Sequence, residues 1–234
     1  MKIDKSSYAL QWDVDEERFY ETGVSRGVLY PYDTEAKKYG KGVVWNGLTQ
    51  VQETPSGAEA NAQYADDIKY LNLYSLEELG ATIEAFTYPD EFMECDGSAA
   101  LADGVYAGQQ GRKKFALCYT TRVGTEADEE AGYKIHILYG CKASPSERAY
   151  ATVNDSPEAI TFSWEINTTP VPVKDHKDTS LVTIDSTDPA LTEAKMKSIE
   201  NVLFGTPAST EGGQTVEAVD AELLLPDEIV ELIA

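Results

Sequence analysis

The stretch with the clearest resemblance to a chemical motif is Gly108–Lys114, with the sequence GQQGRKK. Its two glycines and three basic residues are similar to a phosphate-binding loop. It lacks the Ser or Thr that would hold a metal ion, and it leads into a predicted strand instead of a helix. We therefore predict no nucleotide site there. Its basic residues are expected to face acidic neighbours on the same chain or on another chain.

Adjacent carboxylates offer acid–base chemistry or cation binding. Glu77-Glu78 and Asp66-Asp67 would form a glycosidase pair only if both carboxyl groups met at one bond, which neighbours in sequence rarely do. The acidic stretches 13–18 and 128–132 lack the spaced aspartates of a calcium loop. A chain with 41 Asp and Glu contains such pairs by chance. We predict neither a catalytic pair nor a calcium site.

The cysteines and histidines do not form a recognisable metal site. Cys95, Cys118 and Cys141 include no Cys-x-x-Cys pair, and the two histidines, His136 and His176, add no zinc-ligand spacing. We interpret the cysteines as reduced and structural, and His136 as a structural histidine on a strand. The sequence thus predicts no catalytic residue, no cofactor and no metal, and a protein that is not an enzyme.

The elements that position these residues are mostly predicted strands. In the stretch 155–173, apolar Ile160, Phe162, Trp164 and Ile166 alternate with polar residues, which predicts a half-buried strand. Pro170 and Pro172 cannot donate to a neighbouring strand, so pairing should finish near Thr169. Further strands are predicted in Gly40–Thr54 with a turn at Asn46-Gly47, Lys69–Ser75, Ala81–Tyr88, Gly104–Gly124, Gly132–Ala143 and Ser180–Thr187.

Three segments are predicted not to be strands. Pro55–Ile68 is small, polar and aperiodic, which predicts a long surface loop. Ser75–Leu79 has the N-terminal signals of a short helix. One longer helix is predicted, capped by Thr187 or Asp188 and ended by Gly205, with an apolar stripe formed by Leu191, Met196, Ile199, Val202 and Leu203.

These elements predict a mainly β protein, an antiparallel β-sandwich or barrel with one flanking α-helix. We assign residues 1–205 to this domain, including the C-terminal strand and helix at about 180–204. Residues 206–234 are predicted to be a linker and a C-terminal arm.

The composition restricts the possible partners. The net charge is −22 and the pI is near 4.3, which argues against a protein that holds nucleic acid or an anionic membrane through basic side chains. The N-terminus has no apolar region typical of a secretion signal, and no apolar run approaches the length of a membrane span. We expect the chain to fold in a cytoplasm and to have no membrane partner.

Five stretches together resemble the major tail proteins of long-tailed, non-contractile phages and prophages of Gram-positive bacteria. They are residues 41–73, 109–124, 132–173, 185–205 and 225–233. The resemblance implies a tail tube subunit that forms hexameric rings, stacked into a hollow tube with an acidic lumen. It also implies a virion location after assembly in the host cytoplasm. The implied partners are other copies of the chain, the tape measure protein, the tail terminator and distal tail or baseplate proteins, with DNA passing through the lumen without specific binding.

Within this interpretation, two kinds of site residue are predicted. The loop between residues 52 and 71 is the candidate for contact between rings, because long loops in compact domains usually have a function. The termini, Met1–Tyr20 and Gly212–Ala234, are a second candidate. The candidate inter-ring residues are Gln52, Ser56, Gly57, Glu59, Asn61 and Tyr64. The candidate lumen acids are Asp66, Asp67 and Glu84, for which ordinary exposed positions are the alternative.

Two other classes of function stay open at this point. One is a monomeric β-sandwich module that binds a ligand or carbohydrate, with some of the 14 tyrosines and 3 tryptophans as stacking surfaces. The other is an acidic hydrolase, for which only the many carboxylates argue. The oligomeric state distinguishes both from the tube subunit.

Overall fold

The structure, a computed structural model, describes residues 18–126, 128–152, 155, 159–211 and 214–234. Across these residues the chain is mainly β, as predicted. The strands are β1 Phe19–Asp33, β2 Lys38–Tyr39, β3 Val43–Trp45, β4 Leu48–Gly57, β5 Ala60–Ala65, β6 Ile68–Tyr74, β7 Glu77–Ala85, β8 Ala99–Ala102, β9 Val105–Ala107, β10 Phe115–Thr125, β11 Gly132–Ala143, β12 Phe162–Asn167, β13 Leu181–Asp185, β14 Ser209–Glu211 and β15 Gln214–Val216. The helices are α1 Glu193–Leu203 and α2 Pro226–Ile233, with a short 3-10 helix at Asp90–Phe92.

Nine of these strands pair in one antiparallel sheet that folds over itself into a sandwich. The strand order is β2-β1-β10-β11-β12-β7-β4, with β13 also on β11 and β3 also on β1. Residues 134–138 of β11 pair with β13, and residues 142–143 pair with β12. Gly140 lies between these two segments. Gly140 has a φ of 59°, and a Cβ there would lie 2.1 Å from the Thr169 carbonyl oxygen. Only glycine therefore fits where β11 crosses from one layer to the other.

The first core lies between the two layers of the sandwich. It is built around the buried aromatic residues Trp45, Phe92, Phe115 and Trp164. Trp164 and Ile166 point inward from β12, which confirms the predicted alternation there. Ile160 differs from the prediction, since it precedes β12 and its side chain is 41% exposed.

The second core lies between the other face of the central strands and the two helices. Ala116 and Cys118 of β10 and Ile135 and Ile137 of β11 face α1, whose predicted stripe residues Met196, Ile199 and Leu203 are buried. Strands β10 and β11 are therefore buried on both faces. Burial of both faces explains why apolar residues occur at both sets of alternating positions in Gly132–Ala143.

Two of the helical predictions need correction. Helix α1 begins at Glu193, and the Thr192 hydroxyl accepts from the Lys195 amide, so neither Thr187 nor Asp188 is the cap. Asp188 instead closes a local turn by accepting from the Ala190 amide. Ser75–Leu79 is not helical, because Glu77 to Leu79 pair with β4. Tertiary pairing outweighs the helical propensity of this short segment.

The end of the chain packs on the domain. The Leu224 and Ile229 side chains are buried in the second core, so the end of the predicted C-terminal segment, residues 206–234, packs on the domain. Helix α2 is amphipathic and places its apolar side on the core. None of the helices in the described part of the chain is both long and apolar enough to cross a membrane.

Tyrosine hydroxyls connect the central strands to the helical layer. Tyr30 on β1 donates to the Leu203 carbonyl at 2.5 Å, and Tyr139 on β11 donates to the Leu224 carbonyl at 2.8 Å. Leu203 is the last residue of α1, where carbonyls have no partner within the helix. Each bond therefore satisfies a buried acceptor that would otherwise be unpaired.

Replacing Tyr30 by phenylalanine is expected to lower the free energy of unfolding by about 1–3 kcal/mol, because the Leu203 carbonyl loses its buried donor. Urea unfolding followed by tryptophan fluorescence measures this change. Tyr70→Phe is the matched control, since the Tyr70 side chain is 70% exposed. Equal effects of the two substitutions would contradict the prediction.

Candidate assembly interface

The most prominent surface feature is a long β-hairpin that leaves the sandwich. Strands β4 and β7 pair up to Gly57 and Glu77, and β5 and β6 continue as a separate two-stranded ribbon. We call residues 58–76 the arm. Asp66 and Asp67 form its two-residue turn, with φ angles of 51° and 63°. Positive φ at both central residues is the requirement of a type I′ turn, which aspartate tolerates.

The arm is unusual because its apolar side chains are not buried. Seven of them are large and exposed: Tyr64, Ile68, Tyr70, Leu71, Leu73, Tyr74 and Leu76. Leu71 and Leu73 lie opposite Gln63 and Asn61, while Tyr74 lies opposite Ala60 on the other face of the ribbon. Both faces therefore present apolar area to solvent. A contiguous apolar surface of this kind is typical of a protein–protein contact.

The candidate inter-ring residues all lie on this hairpin, but not in a loop. Gln52, Ser56 and Gly57 are on β4, Glu59 lies at the junction, and Asn61 and Tyr64 are on β5. The prediction of a long loop over Pro55–Ile68 is therefore wrong, since most of that segment is paired β structure. Its role in contact between rings stays a prediction. The second candidate, the termini, falls partly outside the described residues, at 1–17 and 212–213.

The three candidate lumen acids are not brought together. Asp66 and Asp67 are at the turn of the arm. Glu84 lies in the middle of the outer face of the sandwich, opposite Gln50 on β4 and Ser163 on β12. Glu165 lies on the same face, opposite Thr82. Glu84 thus belongs to a polar sheet surface, while the two aspartates belong to the arm.

A polar network that the sequence did not reveal surrounds His136. Its Nε2 atom is 2.9 Å from the Thr121 hydroxyl, which itself donates to Glu21 at 2.6 Å. Since that hydroxyl has one proton, the His136 Nε2 must donate to it. The ring stacks on Tyr119 at 4.9 Å, and the Tyr119 hydroxyl donates to Glu53 on β4 at 2.6 Å.

This network connects the two layers of the sandwich and leaves His136 only 12% exposed. Burial alone would raise the pKa of Glu21, but hydrogen bonds from Lys134 and Thr121 outweigh it and lower the pKa below the usual range. The arrangement satisfies each charged or polar group by a protein partner. It supports the interpretation of His136 as a structural histidine.

A second, smaller exposed hairpin was also not predicted from the sequence. Strands β8 and β9 pair only with each other among the strands described, and Leu101, Val105 and Tyr106 are exposed on them. The signal that could have found it is Asp103-Gly104, a dipeptide typical of hairpin turns. Within the described residues, no group of three or more His, Cys, Asp or Glu side chains is arranged to hold a metal ion.

Comparison with known proteins does not assign the chain to a family. No family model and no curated protein matches it. Among solved structures, the cryo-EM structure of the anti-feeding prophage (AFP) baseplate, six-fold symmetrised, is similar over 69% of this chain and 94% of that chain, with 7% identity and a TM-score of 0.35. A similarity of this size carries no argument about fold or function.

Proposed function

We propose that the protein is a self-assembling structural subunit of a phage tail tube, without catalytic activity and without a cofactor. The observation that carries the proposal is the arm. Its seven large apolar side chains are exposed on a two-stranded ribbon, which is separate from the nine-stranded sheet of the sandwich. Contact with other copies of the chain would cover that surface. In a tube of stacked rings, the surface would be covered in every subunit except those in the last ring.

The charge and the outer face of the sandwich fit the same function. A tube that conducts DNA needs a wall that repels phosphate, and the chain has a net charge of −22. The outer face of β4, β7 and β12 carries Glu84 and Glu165 among uncharged polar residues. We propose that this face, with Glu84 as a lumen acid, lines the tube. Asp66 and Asp67, at the turn of the arm, fit a contact between subunits better.

The finer parts of the proposal come from the resemblance of the sequence motifs. They are hexameric rings, a non-contractile tail and a virion location after assembly in the host cytoplasm. The proposed partners are other copies of the chain, the tape measure protein, the tail terminator and the distal tail or baseplate proteins. DNA would pass without specific binding.

Removing the arm is expected to leave a folded monomer that forms neither rings nor tubes. Gly57 and Glu77 are paired, so residues 58–76 can be replaced by Asn-Gly, which closes β4 and β7 through a type I′ turn. Deleting only Ser56–Ala62 would remove the end of β4 and the first half of β5, and would leave the second half of β6 without its partner. Negative-stain electron microscopy over a range of protein concentrations measures assembly, and circular dichroism with thermal unfolding measures folding.

Point substitutions provide the matched control for the deletion. Tyr70→Ser is expected to weaken assembly, while Tyr150→Ser is expected to have little effect, because the two side chains are similarly exposed, at 70% and 71%, but only Tyr70 lies on the arm. Normal tubes from the armless variant would show that the arm does not mediate assembly. A wild-type protein that stays monomeric at every concentration would contradict the proposed function.

A binding module is the second candidate function. Tyr64, Tyr70 and Tyr74 are exposed on one arm, and exposed tyrosine rings are typical stacking surfaces for sugars. This candidate requires a monomer, so light scattering on the purified protein separates it from a tube subunit.

A further inference from the structure

The surface of this acidic protein contains a concentrated basic region, which we call the basic cleft. It has a volume of about 1010 Å³. Seven of the 19 Lys and Arg residues of the chain line it. They come from three separate segments: Lys37, Lys38 and Lys41 around β2, residues 112–114 before β10, and Lys142 on β11. Only two acids, Glu222 and Glu228, are among the lining residues.

Several of these cations have no acidic partner in the described part of the chain. Lys41 pairs with Asp220 and Lys113 with Glu94. No ion pair within 4.0 Å is formed there by Lys37, Lys38 or Lys142. The Nε atom of Arg112 is buried without a hydrogen-bond partner. Asp33 lies near the rim, where its pKa is lowered first by the Ala36 and Glu35 amides and then by Lys113 and Lys38. The cleft therefore retains positive charge that is not neutralised within the chain.

The floor of the basic cleft is apolar. Tyr32 and Tyr39 meet edge to face with centroids 5.2 Å apart, and both line it. Another part of the wall consists of Pro170, Val171 and Pro172, which follow strand β12. Prolines supply no amide donor, so this wall offers apolar contact instead of backbone pairing. An occupant that matches the cleft has apolar side chains and, next to them, negative charge.

The turn of the arm has this combination. Asp66 and Asp67 present two carboxylates, and the exposed side chains of Tyr64 and Ile68 stand beside them. Both aspartates are exposed, and neither forms an ion pair with another described residue. The base of the arm and the basic cleft lie at the same end of the sandwich, because the cleft residue Lys142 pairs with Asn167, and Asn167 pairs with Gly80 beside the start of the arm. The arm extends roughly 30 Å beyond Gly57, at about 3.3 Å per residue, which gives it the reach to meet another molecule.

We propose that the basic cleft receives the turn of the arm from a second copy of this chain. The aspartates of one subunit face the lysines of the next, and Tyr64 and Ile68 cover the apolar floor. This inference rests on the proposed self-assembly and names its contact surface. Opposite charges at the rim would also fix the register of the two subunits, because like charges placed together are strongly unfavourable.

Disulfide trapping between two variants tests this contact while every charge stays in place. One variant carries Ala65→Cys beside the turn of the arm, and the other carries Thr34→Cys at the basic cleft; both positions are exposed. The three native cysteines are buried. After mild oxidation of the mixture, we expect about tenfold more mixed dimer than from Ala65→Cys with Ala194→Cys, an exposed and uncharged control position on α1. Adding Asp66→Asn and Asp67→Asn should remove the excess, since asparagine keeps the turn but not the charge.

The outcomes separate this inference from the proposed function. Rings or tubes in electron microscopy without excess cross-linking at Thr34 would overturn the inference and leave the tube function standing. Excess cross-linking that persists with both asparagines would overturn the charge pairing. A protein that neither assembles nor cross-links would overturn both. Lys38→Gln with Lys142→Gln should reduce the cross-link as much as the two asparagines, and no reduction would overturn the role of the lysines.

Discussion

Replacing Trp164 by alanine is expected to lower the free energy of unfolding by about 3–5 kcal/mol. Trp164 is 1% exposed and lies at the centre of the first core. Its ring centroid is 5.0 Å from that of Phe92, 5.4 Å from that of Tyr88 and 5.7 Å from that of Trp45. Alanine would leave a cavity between the two layers of the sandwich. The cavity cannot close unless the surrounding strands move. Few domains have enough stability to lose this much and stay fully folded at 37 °C.

Urea unfolding followed by far-ultraviolet circular dichroism measures the loss, since the substitution removes one of the three tryptophans. Leu76→Ala is the control, because Leu76 is also large and apolar but 88% exposed. We expect that substitution to change the free energy of unfolding by less than about 0.5 kcal/mol. Similar losses for both residues would contradict the assignment of Trp164 to the core.

Stability is expected to fall steeply at alkaline pH. Burial raises the pKa of Cys95 and Cys118 to about 12, and raises the pKa of Cys141 further. Burial also raises the pKa of Tyr30, Tyr119 and Tyr139 well above the usual value. For a group whose pKa is higher in the folded state, the stabilisation is present below its unfolded pKa and is lost as the pH rises above it.

The loss should therefore begin near pH 9 with the thiols and become steeper above pH 10 with the tyrosines. Each such tyrosine is expected to contribute about 1.4 kcal/mol per pH unit there. Urea unfolding at a series of pH values from 7 to 11 measures the slope, with Tyr30→Phe removing one contribution and Tyr70→Phe removing none. A free energy of unfolding that stays constant up to pH 11 would contradict the burial of these groups.

The sequence predicted the elements whose pattern is local. The alternation around Trp164 and the Asn46-Gly47 turn between β3 and β4 depend on neighbouring residues, and both are confirmed. The stripe of α1 was also recognised, because its buried residues recur with the helical period. Only the start of the helix was wrong, since Thr187, Asp188 and Thr192 are all plausible caps and contacts elsewhere in the chain select one of them.

The arm was missed because β5 does not have the pattern of a half-buried strand. Apart from Tyr64, its six residues, ANAQYA, are small or polar on both faces, and among the described strands they pair only with β6. The signal was the turn, since Asp66-Asp67 can adopt positive φ at both positions. Ser75–Leu79 shows the opposite case, because this segment has helix-like signals but its residues Glu77 to Leu79 pair with β4 as a strand.

The basic cleft could not have been found from any single motif. The sequence analysis singled out Arg112, Lys113 and Lys114, and expected them to face acidic groups. Their association with Lys38 and Lys142 depends on β2, β10 and β11 being brought together by the sheet. Sites formed from distant segments leave no local pattern, because only the folded topology places them side by side.

Under the proposed self-assembly, the exposed ribbon of the arm has a consequence for the kinetics of polymerisation. A two-stranded hairpin alone in water is marginally stable at best, so its order is strengthened when a neighbouring molecule covers it. The first few subunits to meet would lose conformational entropy with little area buried in return, while each later subunit would add to an already rigid template. Growth would then show a lag phase and a critical concentration, and a preformed end would shorten the lag.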